Sequence, residues 1–298
     1  MGKYKLTIAV LTRNRAKQMQ HAVESCLDCV LPQRTQIVIV DNASTDETEM
    51  VVRSLRENIN YEIKYTQLPE NRGVGGGRNV CFDLAEGEYI YFLDDDAEIA
   101  KECRSNFFTK SIAYMDRNPT VMTLTTRIED NVHGKRMPIV SKHMVVDGLS
   151  CVYLFQGGST FLRKSYFSSP LFMNIMYGHE EVPVSMHVLD DGYNNVYMAD
   201  IFINHLPLVN KWQLAREEVN VHGISNLYGI KRMLYPGIFR LPLFIVYQMR
   251  LRRYHIRSKT LLSEERRARR RLAQENAIEK IRFITVIKAF REFGNTVF

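Results

Sequence analysis

The first hundred residues repeat a unit that few folds accommodate: a short apolar run, a polar cluster, then a helical pattern. Leu6–Leu11 is such a run and ends at Thr12-Arg13-Asn14. Met19, Ala22, Val23, Cys26, Leu27 and Val30 then recur at offsets of three and four, the signature of one helix face. Gln36–Val40 is almost continuously apolar, as a strand buried on both faces must be, and it stops at Asp41-Asn42. Ser44-Thr45-Asp46-Glu47 reads as a capping box opening a helix to about Arg56. Ile63–Thr66 gives a third strand. The loop Pro69–Gly77 leads to a helix near Arg78–Ala85, and Tyr89–Leu93 is a fourth strand running into Asp94-Asp95-Asp96. Serial β-α units predict an α/β fold with a mostly parallel, doubly wound sheet flanked by helices. Such a sheet gathers its strands' carboxyl ends on one rim, so Thr12–Arg15, Asp41–Asp46 and Asp94–Asp96 should converge there.

Past residue 120 the pattern loosens. Val121–Thr126, Val152–Phe155 and Asn195–Met198 read as strands, with a polar loop at Asn131–Lys135. Gly157-Gly158-Ser159 precedes a further apolar stretch, Tyr177-Gly-His-Glu-Glu181 opens a helical segment to Leu189, and His205 follows the apolar Ile201–Ile203. After Trp212 the chain turns helical and basic. The expected organisation is a body over 1–210, divided near residue 100 into a nucleotide-binding and an acceptor half, and a helical extension over 211–298.

Charge separates these parts. Residues 211–298 carry 19 Lys and Arg against 7 Asp and Glu, a net +12, while the body is −5. In Lys231–Arg257 arginines alternate with Leu234, Ile238, Phe239, Leu241, Leu243, Phe244 and Val246, and Pro236 and Pro242 forbid one straight helix. Such a segment suits an anionic bilayer surface, or it packs on the body or on a second subunit. No nucleic-acid motif accompanies the charge. No run of about 20 apolar residues is present to span a bilayer, and the first residues do not form a secretory signal. Five cysteines without a dense framework suit a reducing cytoplasm. Cys26 and Cys29 fall in the first helix pattern, as packing thiols would.

Three adjacent carboxylates at a strand tip repel one another, and a divalent cation reverses that balance because Mg²⁺ and Mn²⁺ take oxygen ligands shared with phosphates. Gly73-Val-Gly-Gly-Gly77 follows the third strand rather than the first, and Arg78 stands at the third glycine position, so a dinucleotide fingerprint is absent. Loop freedom and close approach to a ligand are the uses left for these glycines, with Arg72 and Arg78 ready for phosphate.

The segments Ala9–Arg15, Val40–Asp46, Glu70–Asn79 and Phe92–Asp96, with Gly157-Gly158 and Tyr177–Glu181, resemble the family 2 glycosyltransferases of the GT-A fold. The resemblance runs in family order from residue 5 to about 205. It implies that Thr12 and Asp41 meet the base and ribose of a nucleotide-sugar donor. Asp94 would approach the ribose or base, and Asn71, Gly73, Asp95, Arg15, Arg72 and Arg78 would lie around the donor. Asp96 would hold Mn²⁺ or Mg²⁺ with Asp94, and His205 stands where some members supply a third ligand. Glu181 falls at the catalytic base, with Glu180 as its competitor, and an inverting transfer to a glycan or lipid-linked acceptor follows. Pro183 and His187 depart from the family pattern, in which an acid and an arginine are usual there. A catalytically silent nucleotide-sugar binder and a nucleotidyltransferase are the competing readings. A cytoplasmic protein, peripheral at the inner face of the membrane and able to self-associate, completes the expectation.

Overall fold

The computed structural model describes residues 3–132, 134–176, 178–207, 216–253, 266–267, 269–274 and 278–298. Trp212, Tyr177 and residues 254–257 of the basic tail therefore lie outside the described residues.

The predicted strands form and extend slightly beyond their apolar runs. β1 (Tyr4–Thr12), β2 (Thr35–Asp41), β3 (Glu62–Gln67) and β4 (Gly87–Asp94) lie in the order β3-β2-β1-β4, all parallel. Alternation in β4 shows why its run is apolar throughout. Tyr89, Tyr91 and Leu93 enter one core with Met19, Ala22, Val23 and Cys26 of α1 (Ala16–Leu27). Ile90 and Phe92 enter a second core with Cys81 and Phe82 of α3 (Gly73–Leu84). Tyr91 is clamped by Phe107, Phe108 and Phe161 at ring distances of 4.5 to 5.4 Å, and Ser159 Oγ is 2.8 Å from its hydroxyl. Aromatic packing of this kind adds about 0.5–1.5 kcal/mol per pair beyond burial and holds the strand that carries the aspartates.

Two helix starts differ from expectation. α2 (Thr48–Asn58) begins after the proposed box, and no side chain of that box makes the reciprocal bond. Asp46 does the work instead: Oδ1 accepts from Thr48 N at 3.2 Å and Oδ2 from Ala16 N at 3.1 Å, so one carboxylate serves the starts of both α1 and α2. α3 begins at Gly73, not Arg78, so the glycines are its first turns rather than a loop. A Cβ on Gly75 would sit 1.7 Å from the Met173 carbonyl oxygen, and one on Gly77 would sit 2.4 Å from Leu11 Cδ1. The close approach these glycines permit is to the chain's own segment 173–176 and to β1.

The second half adds β5 (Ala97–Ile99), α4 (Phe107–Arg117), β6 (Val121–Asp130), β7 (Gly134–Arg136), β8 (Val140–Val146), β9 (Leu149–Val152), β10 (Ser159–Arg163), α5 (Glu181–Asp190) and β11 (Asn194–His205). The sheet continues β4-β10-β6-β11-β9-β8, with β5 paired to β11 and β7 to β6. β10 is antiparallel to both β4 and β6, and β11 is parallel to β6. β6 and β11 thus point the same way as β4, and their carboxyl ends join the same rim. The result is a largely parallel sheet between helices. All five cysteines are free and buried, Cys29 just past the end of α1, and burial pushes the Cys29 and Cys81 thiols up to about 12. They are packing groups.

The tail comprises α6 (Arg216–Leu234), a 3₁₀ turn at Gly237–Phe239, α7 (Arg240–Arg253) and α8 (Phe283–Phe293), broken near Pro236 as its prolines predict. Ile230, Leu234, Tyr235, Phe239, Leu243 and Val286 share a core with Tyr153, Met173, Val182 and Met186 of the body. Each such buried aliphatic or aromatic side chain contributes about 1.5–3 kcal/mol, and Val182 and Met186 belong to α5, so tail packing fixes that helix. No helix among the described residues is long and apolar enough to cross a membrane.

Candidate active site

Strand directions assemble the site. Thr12, Asp41, Asp94, Asp130 and His205 are the last residues of β1, β2, β4, β6 and β11, and all sit on the carboxyl rim. A register shift in β11 between Met198 and Phe202 sets His205 opposite Asp130, without which β11 would overrun β6. β5 follows the aspartates directly and pairs His205 with Ala97, while Leu206 N donates to the Asp96 carbonyl at 2.7 Å.

Ligand atoms of Asp94, Asp96 and His205 all lie within 4.8 Å of one another. His205 Nε2 is 3.2 Å from Asp96 Oδ1, and His205 Nδ1 is 2.9 Å from Asp130 Oδ2. The carboxylate of Asp130 is wholly buried and also pairs with Arg136. Both ring nitrogens thus face carboxylates: burial lowers the imidazole pKa, but the hydrogen bond and charge of Asp96 raise it above its ordinary value, and a metal would replace the Nε2 proton while Nδ1 keeps Asp130. Two carboxylates and an imidazole fit a divalent cation.

Repulsion among the aspartates is already offset by arginines. Arg15 Nη1 donates to Asp95 Oδ1 and Asp96 Oδ2, both at 2.8 Å, and Arg78 Nη2 donates to Asp94 Oδ1 at 2.8 Å. The three carboxylates are thus partly compensated by arginine as well. Burial raises the Asp95 carboxyl to about 6, with Arg15 pulling it down and Asp96 pushing it up. Burial acts the same way on Asp96, but the hydrogen bond from His205 and the charge of Arg15 hold its carboxyl below the usual range.

Arg78 also reaches the second acid pair. Its Nη1 donates to Glu180 Oε1 at 2.5 Å, and both side chains are buried. The pairing depends on Gly157 and Gly158: a Cβ on Gly157 would meet Arg78 Nη1 at 2.4 Å, and one on Gly158 would meet Asp94 Oδ2 at 2.4 Å. Glu180 caps α5 and Glu181 opens it, with Pro183 in the first turn, where its missing N–H costs nothing. Burial raises the carboxyls of both acids, Glu180 to about 7 against the pull of Arg78. The second oxygen of Glu180 is buried without a partner, whereas Glu181 is half-buried and makes no side-chain hydrogen bond among the described residues. The turn before them holds Gly178 and His179 at φ 80° and 73°, a left-handed backbone that is strained for histidine. Burial drives the His179 imidazole down to about 4, so it is neutral.

The remaining expected residues divide. Thr12 Oγ1 is buried at the end of β1, beside the Asp95 carboxylate. Asp41 is fully buried and its oxygens accept from Ser44 N at 2.7 Å, Tyr65 Oη at 2.9 Å and Gln67 Nε2 at 3.3 Å, all inside the protein. Asn71 Oδ1 accepts from Gly73 N at 2.9 Å and shapes the start of α3, while the Arg72 side chain is exposed. Sequence reading missed Asn42, which accepts from Arg72 N at 2.8 Å and donates to Gly73 O at 3.0 Å, though its place after β2 was a signal. It also missed Asp130 and Arg136, for which the sequence holds no signal. A cleft of about 420 Å³ between the 189–194 turn and α8 lies away from this rim, and its acids Asp190, Asp191 and Glu292 bond to Thr285, Tyr166 and Ser141.

Comparison with known proteins agrees with this geometry. A poly(ribitol-phosphate) β-N-acetylglucosaminyltransferase, TarS of Staphylococcus aureus, is 36% identical over 136 residues, 45% of this chain and 22% of TarS. A GalNAc(5)-diNAcBac-PP-undecaprenol β-1,3-glucosyltransferase of Campylobacter jejuni is 33% identical over 109 residues, 36% of this chain and 34% of that protein. The chain thus spans between about a fifth and a third of these relatives. TarS residues 1–349 with UDP-GlcNAc superpose with a TM-score of 0.58 at 19% identity, over 76% of this chain and 66% of that one. The mannosyltransferase PcManGT of Pyrobaculum calidifontis, with GDP-Man and Mn²⁺, gives 0.58 at 15% identity, over 92% and 76%. These likenesses show the GT-A fold. The sequence profile described as Glycosyl transferase family 2 matches residues 7–176, more than half of the chain, and on that ground the protein belongs to family 2 of the glycosyltransferases.

Proposed function

We propose that this chain transfers a sugar, with inversion, from a nucleotide-diphosphate sugar to a hydroxyl of a glycan or lipid-linked acceptor, with a divalent metal at Asp94, Asp96 and His205. The observation that carries the reading is Arg78, which links Asp94 at the rim to Glu180, the neighbour of Glu181. Asp94, Asp96 and His205 would hold the cation, which would supply charge neutralisation for a diphosphate, and the imidazole would favour Mn²⁺ over Mg²⁺. Asp130, through its hydrogen bond, is the positioning residue for His205. Thr12, Asp41, Asn71, Arg72, Gly73 and Asp95 surround the nucleotide in this reading, and Arg15 and Arg78 would supply positive charge beside its phosphates. The acceptor oxygen attacks the anomeric carbon as its proton passes to Glu181, and the bond from that carbon to the diphosphate breaks, releasing nucleoside diphosphate. Residues 1–100 chiefly serve the donor, with His205 completing its cation site, 101–210 otherwise serve the acceptor, and the described helices of the tail brace that side.

UDP-GlcNAc in TarS and GDP-Man with Mn²⁺ in PcManGT support a nucleotide-sugar donor, and the undecaprenol-linked substrate of the C. jejuni relative supports a lipid-linked acceptor at the inner membrane face. The test is a screen of UDP-, dTDP- and GDP-sugars with Mn²⁺ or EDTA, reading the product released. Nucleoside diphosphate formed only with metal is the expected result. Inorganic pyrophosphate would instead establish nucleotidyl transfer. Donor binding without turnover of any sugar or acceptor would leave a silent binder.

A further inference from the structure

The structure divides the apolar residues of the tail between two opposite surfaces. Leu243, Tyr247 and Leu251 lie on one face of α7 at offsets of four and are buried in the core shared with the body. Leu241, Ile245 and Met249 follow the same spacing on the other face and are 66%, 49% and 64% exposed. Ile238, 71% exposed, extends this outer stripe at the N-terminal end. The next residue, Phe239, is buried and stacks on Phe283 of α8, which is itself 49% exposed, so a second helix beside the start of α7 also shows apolar surface. A helix apolar on both faces is normally covered on both, and a folded chain rarely leaves so contiguous a patch to water.

We infer that this outer face of α7 docks on an anionic lipid bilayer. Charge selects the partner. From Gly223 to Arg253 the chain carries Arg232, Arg240, Arg250, Arg252 and Arg253 and no Asp or Glu, while its one lysine, Lys231, is buried. Arg240 and Arg252 are exposed near the two ends of the stripe, where a helix lying in a headgroup layer keeps its guanidinium groups among phosphates. A second copy of the chain on the same face would set arginine against arginine with no acid of α7 to offset them. Lipid supplies both the hydrocarbon and the negative charge that the surface lacks.

The full chain is co-sedimented, without any sugar donor, with vesicles of phosphatidylcholine alone and of phosphatidylcholine mixed equally with phosphatidylglycerol. It is expected to bind the mixed vesicles and scarcely the neutral ones. Replacing Leu241, Ile245 and Met249 together by Ser should weaken partition roughly tenfold or more, because less apolar area enters the membrane. The Tm should be unchanged, since none of the three is in the core. The pair Arg240→Gln and Arg252→Gln should weaken binding to the anionic vesicles alone. Equal partition of the triple variant and the parent, or equal binding to neutral vesicles, overturns the inference. So does self-association that the triple variant abolishes while vesicle binding is absent. Failure here leaves the transferase reading untouched, because no donor chemistry enters the measurement.

Discussion

Arg78 and Glu180 form an ion pair of 2.5 Å between two buried side chains, and the same guanidinium holds Asp94. That commitment separates the two adjacent glutamates. Glu180 is bound to a cation, and Glu181 keeps a carboxylate free of other side chains among the described residues. Glu181→Gln is therefore expected to lower kcat by roughly 10²–10⁴-fold, the usual worth of a general base, with donor affinity retained. Glu180→Gln should lower Tm more than Glu181→Gln does, because it leaves Arg78 with less compensation. Normal turnover by the Glu181 variant would transfer the role elsewhere.

The pH profile follows from the same pair. Burial raises both carboxyls, Glu180 to about 7, and neighbouring acids titrate as a unit. A base must be deprotonated, and burial raises the Glu181 carboxyl, so kcat/KM should begin to fall at a higher pH than for an ordinary glutamate, which would hold activity down to about 4.5. The sign for stability is opposite to that of a salt-bridged surface acid. With the folded-state value raised, the pair's stabilising contribution is complete below about 4.5 and is lost as pH rises through about 7. Rates measured from pH 5 to 8.5 that stay flat would refute the assignment.

Asp96→Ala removes a carboxylate from the proposed cation site and should abolish metal-dependent donor affinity. Asp130→Asn is the subtler change. It keeps the volume but can donate to His205 Nδ1, which favours the wrong tautomer, and loss of such an outer partner typically costs about 10–100-fold in metal affinity. Titrating Mn²⁺ by its free-ion electron paramagnetic resonance signal reads this without turnover. Unaltered Mn²⁺ affinity in the Asp130 variant would reduce that residue to a fold element.

Gly75→Ala places a methyl 1.7 Å from a backbone oxygen that cannot rotate away, and should destabilise the protein by about 1–3 kcal/mol or more, seen as a lower Tm. Gly223→Ala is the control. Its nearest neighbour would be His179 Nε2 at 3.9 Å, ordinary contact, and alanine favours helix there, so Tm should hold or rise.

The first half of the fold was legible because each buried strand writes a continuous apolar run and each run ends in the residues that line the rim. The α3 start was not legible. Gly73–Gly77 reads as a loop by propensity, and only packing against Met173 and Leu11 makes it a helix. The pairing of β7 with β6 also escaped, since Gly134–Arg136 is exposed throughout and carries no alternation. The site followed the same division. Asp94–Asp96 and Glu180-Glu181 announce themselves as clusters beside recognisable motifs, whereas Asp130, at the end of Ile-Glu-Asp, acquires its role only through the strand beside it. Arg15 was placed near the donor by resemblance, but its partners Asp95 and Asp96 could not be read without the sheet order.

Because Asp94, Asp130 and His205 arrive on three strands separated by long stretches of chain, no local segment can assemble the cluster by itself. A nascent chain lacks it until β11 has docked beside β6. Cation affinity would thus serve as a reporter of completed folding, silent in any intermediate that holds only the four parallel strands.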